Sequence, residues 1–141
     1  MRYIGIDFGT KRFGISISDP LLLSAQGYAV INAKLKDLLA LLKELSEKHG
    51  EITVVVGLPT TLRGKVSEST QKVLNFVDKL RQALKRMDKK IEVDTYDERF
   101  STVAAERTLI EAGLSRQKRK KVIDSQAAAF MLQGYIERIK K

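Results

Sequence analysis

Ile52-Thr53-Val54-Val55-Val56 is an unbroken β-branched run, and it narrows the folds open to this chain more than any other feature. A strand with one wet face alternates apolar and polar residues. This one does not, so both its faces need covering, as in a parallel sheet with helices on each side.

The rest of the chain supplies the partners. Tyr3-Ile4-Gly5-Ile6-Asp7 reads as a buried strand, Gly9-Thr10-Lys11-Arg12 as a turn, and Phe13 to Ser18 as an alternating second strand ended by Asp19-Pro20. A third strand is expected from about Ala25 to Ile31. Leu35, Leu38, Leu39, Leu42 and Leu45 recur at helical spacing, which predicts a helix from about Lys34 to Lys48 that Gly50 stops. Val73, Phe76, Val77, Leu80 and Leu84 mark a second helix, and Ile91 to Tyr96 alternates as an edge strand does. Two more helices are expected, roughly Thr102 to Ala112 and Val122 to Ile139, with Gly113 and a basic connector between them. The order predicts an α/β fold: a mixed five-stranded sheet, with a three-strand antiparallel meander followed by parallel strands, flanked by helices. No repeat, low-complexity tract or linker divides residues 1–141, so a single domain is expected.

Composition removes whole classes of chemistry. The chain has no cysteine and one histidine, which excludes disulfide frameworks, thiolate zinc sites, cysteine nucleophiles and two-histidine metal sites. No apolar run approaches the ~18 residues of a membrane span, and the first residues lack the hydrophobic stretch of a signal peptide. A cytoplasmic protein without a membrane partner is expected. The 26 Lys and Arg against 17 Asp and Glu leave a charge of +9, which suits a polyanionic partner through counterion release. A lysine-rich surface that only confers solubility accounts for the charge equally well.

Three acids stand out. Asp7 ends an apolar strand immediately before Phe8-Gly9-Thr10, where a carboxylate needs a cation, a donor or a metal; capping of its own turn is the plainer role. Glu98 lies within Asp97-Glu98-Arg99-Phe100-Ser101-Thr102, where the fifth strand becomes a helix that Ser101 or Thr102 caps. A surface ion pair accounts for Glu98 as well. Asp124 is expected in the first turn of the last helix, where it meets the positive end of the helix dipole. The connector before it holds five cations between Arg116 and Lys121, either a solvated loop or phosphate contacts beside a carboxylate cluster. Two other motifs fail. Gly57 to Ser67 puts Pro59 at the first glycine position of a P-loop and Val66 after the lysine. A Ser–His–Asp triad has only His49 to use, at the polar end of a helix.

Taken in order, Ile4-Gly5-Ile6-Asp7-Phe8-Gly9-Thr10-Lys11-Arg12-Phe13-Gly14, Gly57-Leu58-Pro59, Asp97 to Thr102 and Asp124-Ser125-Gln126-Ala127-Ala128 resemble the YqgF/RuvX family. Its members are relatives of the Holliday junction resolvase RuvC in the ribonuclease H-like superfamily. The resemblance spans nearly the whole chain. Asp-Glu-Arg-x-Ser-Thr is its specific part; Asp-x-Gly-Thr is shared with actin-like ATPases. The resemblance implies a cytoplasmic, metal-dependent nuclease that processes the 5′ end of pre-16S ribosomal RNA, with Holliday junction resolution as the alternative.

By position, the family's acids map onto Asp7, Glu98 and Asp124, as both catalytic groups and metal ligands. Two Mg²⁺ or Mn²⁺ ions about 3.5–4 Å apart stabilise a phosphodiester transition state and activate water, and hard cations take oxygen ligands without histidine or cysteine. Asp7 is expected to bridge them, with Glu98 and Asp124 on either side. Thr10, Lys11, Arg12, Arg99, Arg119 and Lys121 are the expected nucleic-acid contacts. The expected partner is structured RNA or branched DNA, with a ribosome precursor as the setting and a monomer or homodimer as the state. The rivals are a nucleic-acid-binding module with vestigial acids and an actin-like nucleotide site. The strand beside the first ends in Gly57-Leu58-Pro59 with no acid, so Glu98 must reach about 10 Å from the next strand outward at ~4.8 Å per strand.

Overall fold

A computed structural model describes residues 1–58, 68–87, 90–97 and 116–139, with side chains from Ser125 onward in the last stretch. The strands are β1 (Arg2–Phe8), β2 (Arg12–Ser18), β3 (Ala25–Asn32), β4 (Ile52–Leu58) and β5 (Glu92–Asp97). The helices are α1 (Leu35–His49), α2 (Glu68–Arg86) and α3 (Arg116–Ile139). The helix expected over 102–112 lies outside the described residues.

The sheet order is β3-β2-β1-β4-β5. β1 pairs antiparallel with β2, β2 antiparallel with β3, and β4 runs parallel to both β1 and β5. The fold is the expected mixed five-stranded sheet. Ile52 to Val56 are all buried, because β4 has a strand on each side and a helical layer on each face.

Alternation along β1 assigns the faces. Ile4 and Ile6 join Val54, Val56 and the inward residues of α1 and α2 in the larger core. Tyr3 turns the other way and packs with Val55, Met131, Leu132, Tyr135 and Ile136 of the α3 layer. Successive strand residues point to opposite faces, so Asp7 shares the α3 face with Tyr3 and Gly5. α1 ends where glycine is wanted: Gly50 has φ +81° and returns its N–H to the Ser46 carbonyl at 2.9 Å.

α3 settles on a row of small residues. Ser16 stands between Gly5 and Gly27 in register across three strands. A β-carbon on Gly5 would meet the Leu132 β-carbon at 3.1 Å and the Ala128 carbonyl at 3.2 Å. One on Gly27 would meet the Ser125 hydroxyl at 3.1 Å. Ala127, Ala128 and Ala129 are buried in return, so small residues on both partners set a close approach. Ser16 Oγ donates to the Ala128 carbonyl at 2.8 Å, and Gln133 Oε1 accepts the Ala25 N–H at 2.9 Å.

Two expectations are corrected. The basic segment Arg116 to Lys121 is helical, and α3 begins at Arg116. Nothing in that segment breaks a helix, whereas its charge suggests a connector. Asp124 therefore sits well inside α3 and not in its first turn, so the helix dipole does not account for it.

Candidate functional site

Asp7 lies near the C-terminal end of β1, paired with Gly14 and half-buried. It stands at the end of the sheet where β1 turns into β2. Thr10 and Lys11 are exposed in that turn and Arg12, half-buried, opens β2. Three of the expected nucleic-acid contacts thus stand within five residues of Asp7, at the same end of the sheet.

Val56 is level with Ile6, and β5 continues to Asp97 opposite Leu58. β4 does separate β1 from β5, so the end of β5 lies two strands from the strand of Asp7. Glu98 and Arg99 lie outside the described residues. Asp124, Arg119 and Lys121 belong to the described backbone of α3, and their side chains lie outside it. Among the described residues, no group of three His, Cys, Asp or Glu stands together as a metal site.

α3 runs antiparallel to β1. Tyr3 meets Tyr135 edge-to-face with ring centroids 5.4 Å apart, while Gly5, two residues on, lies against Leu132 and Ala128.

His49 stands at the other end of the sheet. It closes α1 just before β4, whose Ile52 pairs with Arg2, and burial, then the charges of Arg2 and Lys48, lower its pKa. Arg2 and Asp7 are five residues apart on an extended strand, about 16 Å. A triad through His49 and Asp7 is excluded by that distance.

The exposed face of α2 carries polar groups beyond those expected from the sequence. Lys72, Asn75 and Lys79 are exposed on one stripe beside the β1–β2 turn. Their i, i+3, i+7 spacing was the available signal, hidden among ordinary surface positions of an amphipathic helix.

Residues 1–138 match the family described as RuvX, Holliday junction resolvase. The chain belongs to the RuvX family. Its relatives include a Clostridium botulinum protein 42% identical over 142 residues, covering all of both chains, and a Clostridium acetobutylicum protein 41% identical over 140 residues, covering 99% of this chain and all of the other. Both carry the name "Putative pre-16S rRNA nuclease". Among solved structures, the fold is similar to Thermus thermophilus RuvC in complex with a Holliday junction (TM-score 0.53, 15% identity, 99% of this chain and 96% of that one). It is also similar to the Fowlpox virus resolvase with Holliday junction DNA (TM-score 0.56, 13% identity, all of both chains). As a RuvX member the chain is a nuclease, a hydrolase acting on phosphodiester bonds, and a nucleic-acid-binding protein. No described helix is long and apolar enough to cross a membrane.

Proposed function

We propose that this RuvX member is a cytoplasmic, metal-dependent nuclease that trims the 5′ end of precursor 16S ribosomal RNA, with Asp7, Glu98 and Asp124 as its acidic site. The observation that carries the reading is the antiparallel course of α3 over β1. From Tyr3 to Gly5 the contacts move back along α3 from Tyr135 to Leu132 and Ala128. One further step along β1 reaches Asp7, and one further helical turn reaches Asp124, on the stripe of Ala128 and Leu132. Glu98 is the next residue in sequence after β5, whose last residue, Asp97, pairs with Leu58 of β4.

The donor set fits hard divalent cations, since all three candidates are carboxylates and Asp7 sits at an open strand end. Mg²⁺ or Mn²⁺, when bound, supplies charge for the anionic transition state and an activated water. Asp7, on the rigid sheet, together with Glu98 and Asp124, would hold such ions. Thr10, Lys11 and Arg12, with Arg99, Arg119 and Lys121, offset the repulsion between these acids and a phosphate backbone.

RNA is favoured over branched DNA because the named RNA-processing relatives match at 42% identity over their full length. The junction-bound structures are similar in fold at 15% identity or less. A resolvase cuts two strands symmetrically and works as a dimer, so a strictly monomeric state in solution would also support RNA.

The test is incubation with precursor ribosomal RNA and with a four-way junction, with and without Mg²⁺ or Mn²⁺, alongside Asp7→Asn. Cation-dependent cleavage of the precursor is expected from the wild type and not from the variant. Tight, salt-sensitive binding with no cleavage under any cation would make the chain a binding module with vestigial acids. Preferential cutting of the junction would reassign the substrate.

A further inference from the structure

On the face of the sheet opposite Asp7, a groove of about 460 Å³ opens between the β1–β2 turn and α2. Its floor is apolar: the half-buried Phe8 ring stands against the buried rings of Phe13 and Phe76, with centroids 5.0 to 5.4 Å apart. Its rim is cationic and polar, with Lys72, Asn75 and Lys79 exposed along α2 and Thr10 exposed across from them. Among the described residues, no carboxylate lines it.

An apolar floor of this kind rejects a bare phosphate, and a pair of lysines on the rim gives a hydrocarbon ligand nothing. A ligand with a flat apolar body and an anionic flank satisfies both. We propose that the groove takes one unpaired nucleotide of the RNA strand, its base against Phe8 and its phosphate between Lys72 and Lys79. This rests on the nuclease reading above, and adds where the strand runs beyond the acids.

Asn75 suits the base edge. Its Oδ1 accepts from Gln71 Nε2 at 3.0 Å, and its amide nitrogen is the group that can donate to a ligand's carbonyl acceptor. A base within a duplex is stacked on both sides, so only one splayed out of the strand enters a recess. The Thr10 hydroxyl, on the rim, offers a partner for a ribose 2′-OH, the group that tells RNA from DNA. Phe8 directly follows Asp7 and alternates to the opposite face. The groove and Asp7 therefore stand back to back at the end of β1, and a strand turning past Thr10 and Lys11 reaches both.

The test uses the full chain with divalent cations chelated, so that binding is read without cleavage. Fluorescence anisotropy is measured with labelled hexauridylate, its deoxy counterpart, and a blunt RNA hairpin whose paired strands are joined by a non-nucleotide linker. Lys72→Ala/Lys79→Ala is compared with Lys36→Ala/Lys43→Ala, which removes the same charge from exposed positions of α1. Hexauridylate affinity is expected to fall about tenfold in the α2 variant and less than about twofold in the α1 variant. Asn75→Ala should weaken it about threefold, and the hairpin should lose less than about twofold in every variant. Equal losses in the two double variants, or for hairpin and single strand alike, would reduce the groove to general surface charge and overturn the proposal. Deoxy binding as tight as ribo binding would overturn the RNA assignment. Groove-dependent binding by a protein that cuts no precursor removes the nuclease reading alone; cleavage with an indifferent groove removes only this one.

Discussion

The Ser16 hydroxyl donates to the Ala128 carbonyl at 2.8 Å across 112 positions of sequence, and the bond closes over the bare α-carbon of Gly5. A β-carbon there collides with Ser16 Oγ and crowds Leu132 and the Ala128 backbone. Gly5→Ala should gain ~0.4–1 kcal/mol from a stiffer unfolded chain and lose more, about 1–3 kcal/mol, to overpacking. The net expectation is destabilisation, read as a lower midpoint in urea. In a Ser16→Ala background the penalty should shrink without vanishing, because Leu132 and the Ala128 backbone remain. Additive effects of the two substitutions would show that the Ser16 hydroxyl does not lie over Gly5.

Asp7→Asn keeps the shape of the side chain and removes its charge. Millimolar Mg²⁺ or Mn²⁺ should raise the melting temperature of the wild type, since a ligand held only by the folded state stabilises it by mass action. The variant should show no such rise, while its melting temperature in chelator stays equal or higher. Cleavage should fall by about a thousandfold or more, the scale of losing a principal transition-state contact. A variant with the full cation-induced rise would remove Asp7 from the site.

Tyr135 donates its hydroxyl to Asp94 Oδ2 at 3.0 Å, and burial, then that hydrogen bond, pushes its pKa from the usual 10.0 up to about 12. The folded state therefore holds this proton more tightly than the unfolded chain does. The contribution is fully present below pH 10 and is lost as pH rises toward about 12. Tyr135→Phe should cost about 1 kcal/mol at neutral pH and flatten the decline across the alkaline window, seen by chemical denaturation at stepped pH. An unchanged slope would mean that some other group drives it.

Much of this arrangement was legible in the sequence, and for identifiable reasons. The β-branched run of β4 and the leucine stripe of α1 each repeat one period over several residues, so the local signal was strong. The start of α3 was not legible because charge density and helix propensity pull opposite ways between Arg116 and Lys121. Lysine and arginine are good helix formers, yet a run of them reads as a solvated loop. Asp7 was singled out because a carboxylate ending an apolar strand is costly to leave alone. The α2 groove was invisible, since nothing in the spacing of Lys72, Asn75 and Lys79 says that three phenylalanines from two strands and a helix gather beneath them. That is a tertiary fact.

The N-terminal turns of α3 carry an electrostatic burden that a polyanion can lift. Five of the six residues from Arg116 to Lys121 are cations, and the first turn contains no acid. Cations there face the positive end of the helix dipole, at ~0.3–1 kcal/mol each when exposed. Like-charge pairs such as Arg116 and Lys120 at i, i+4 spacing add a few tenths of a kcal/mol. A phosphate backbone reverses both effects. Hydrogen exchange at the amides of residues 120–124, the first that donate within the helix, should therefore slow about fivefold or more when RNA is added in chelator, the equivalent of about 1 kcal/mol. The amides of α1 should keep their rates, and high salt should erase the difference. Unchanged exchange in these turns, under conditions where RNA is bound, would move the phosphate contacts away from Arg119 and Lys121.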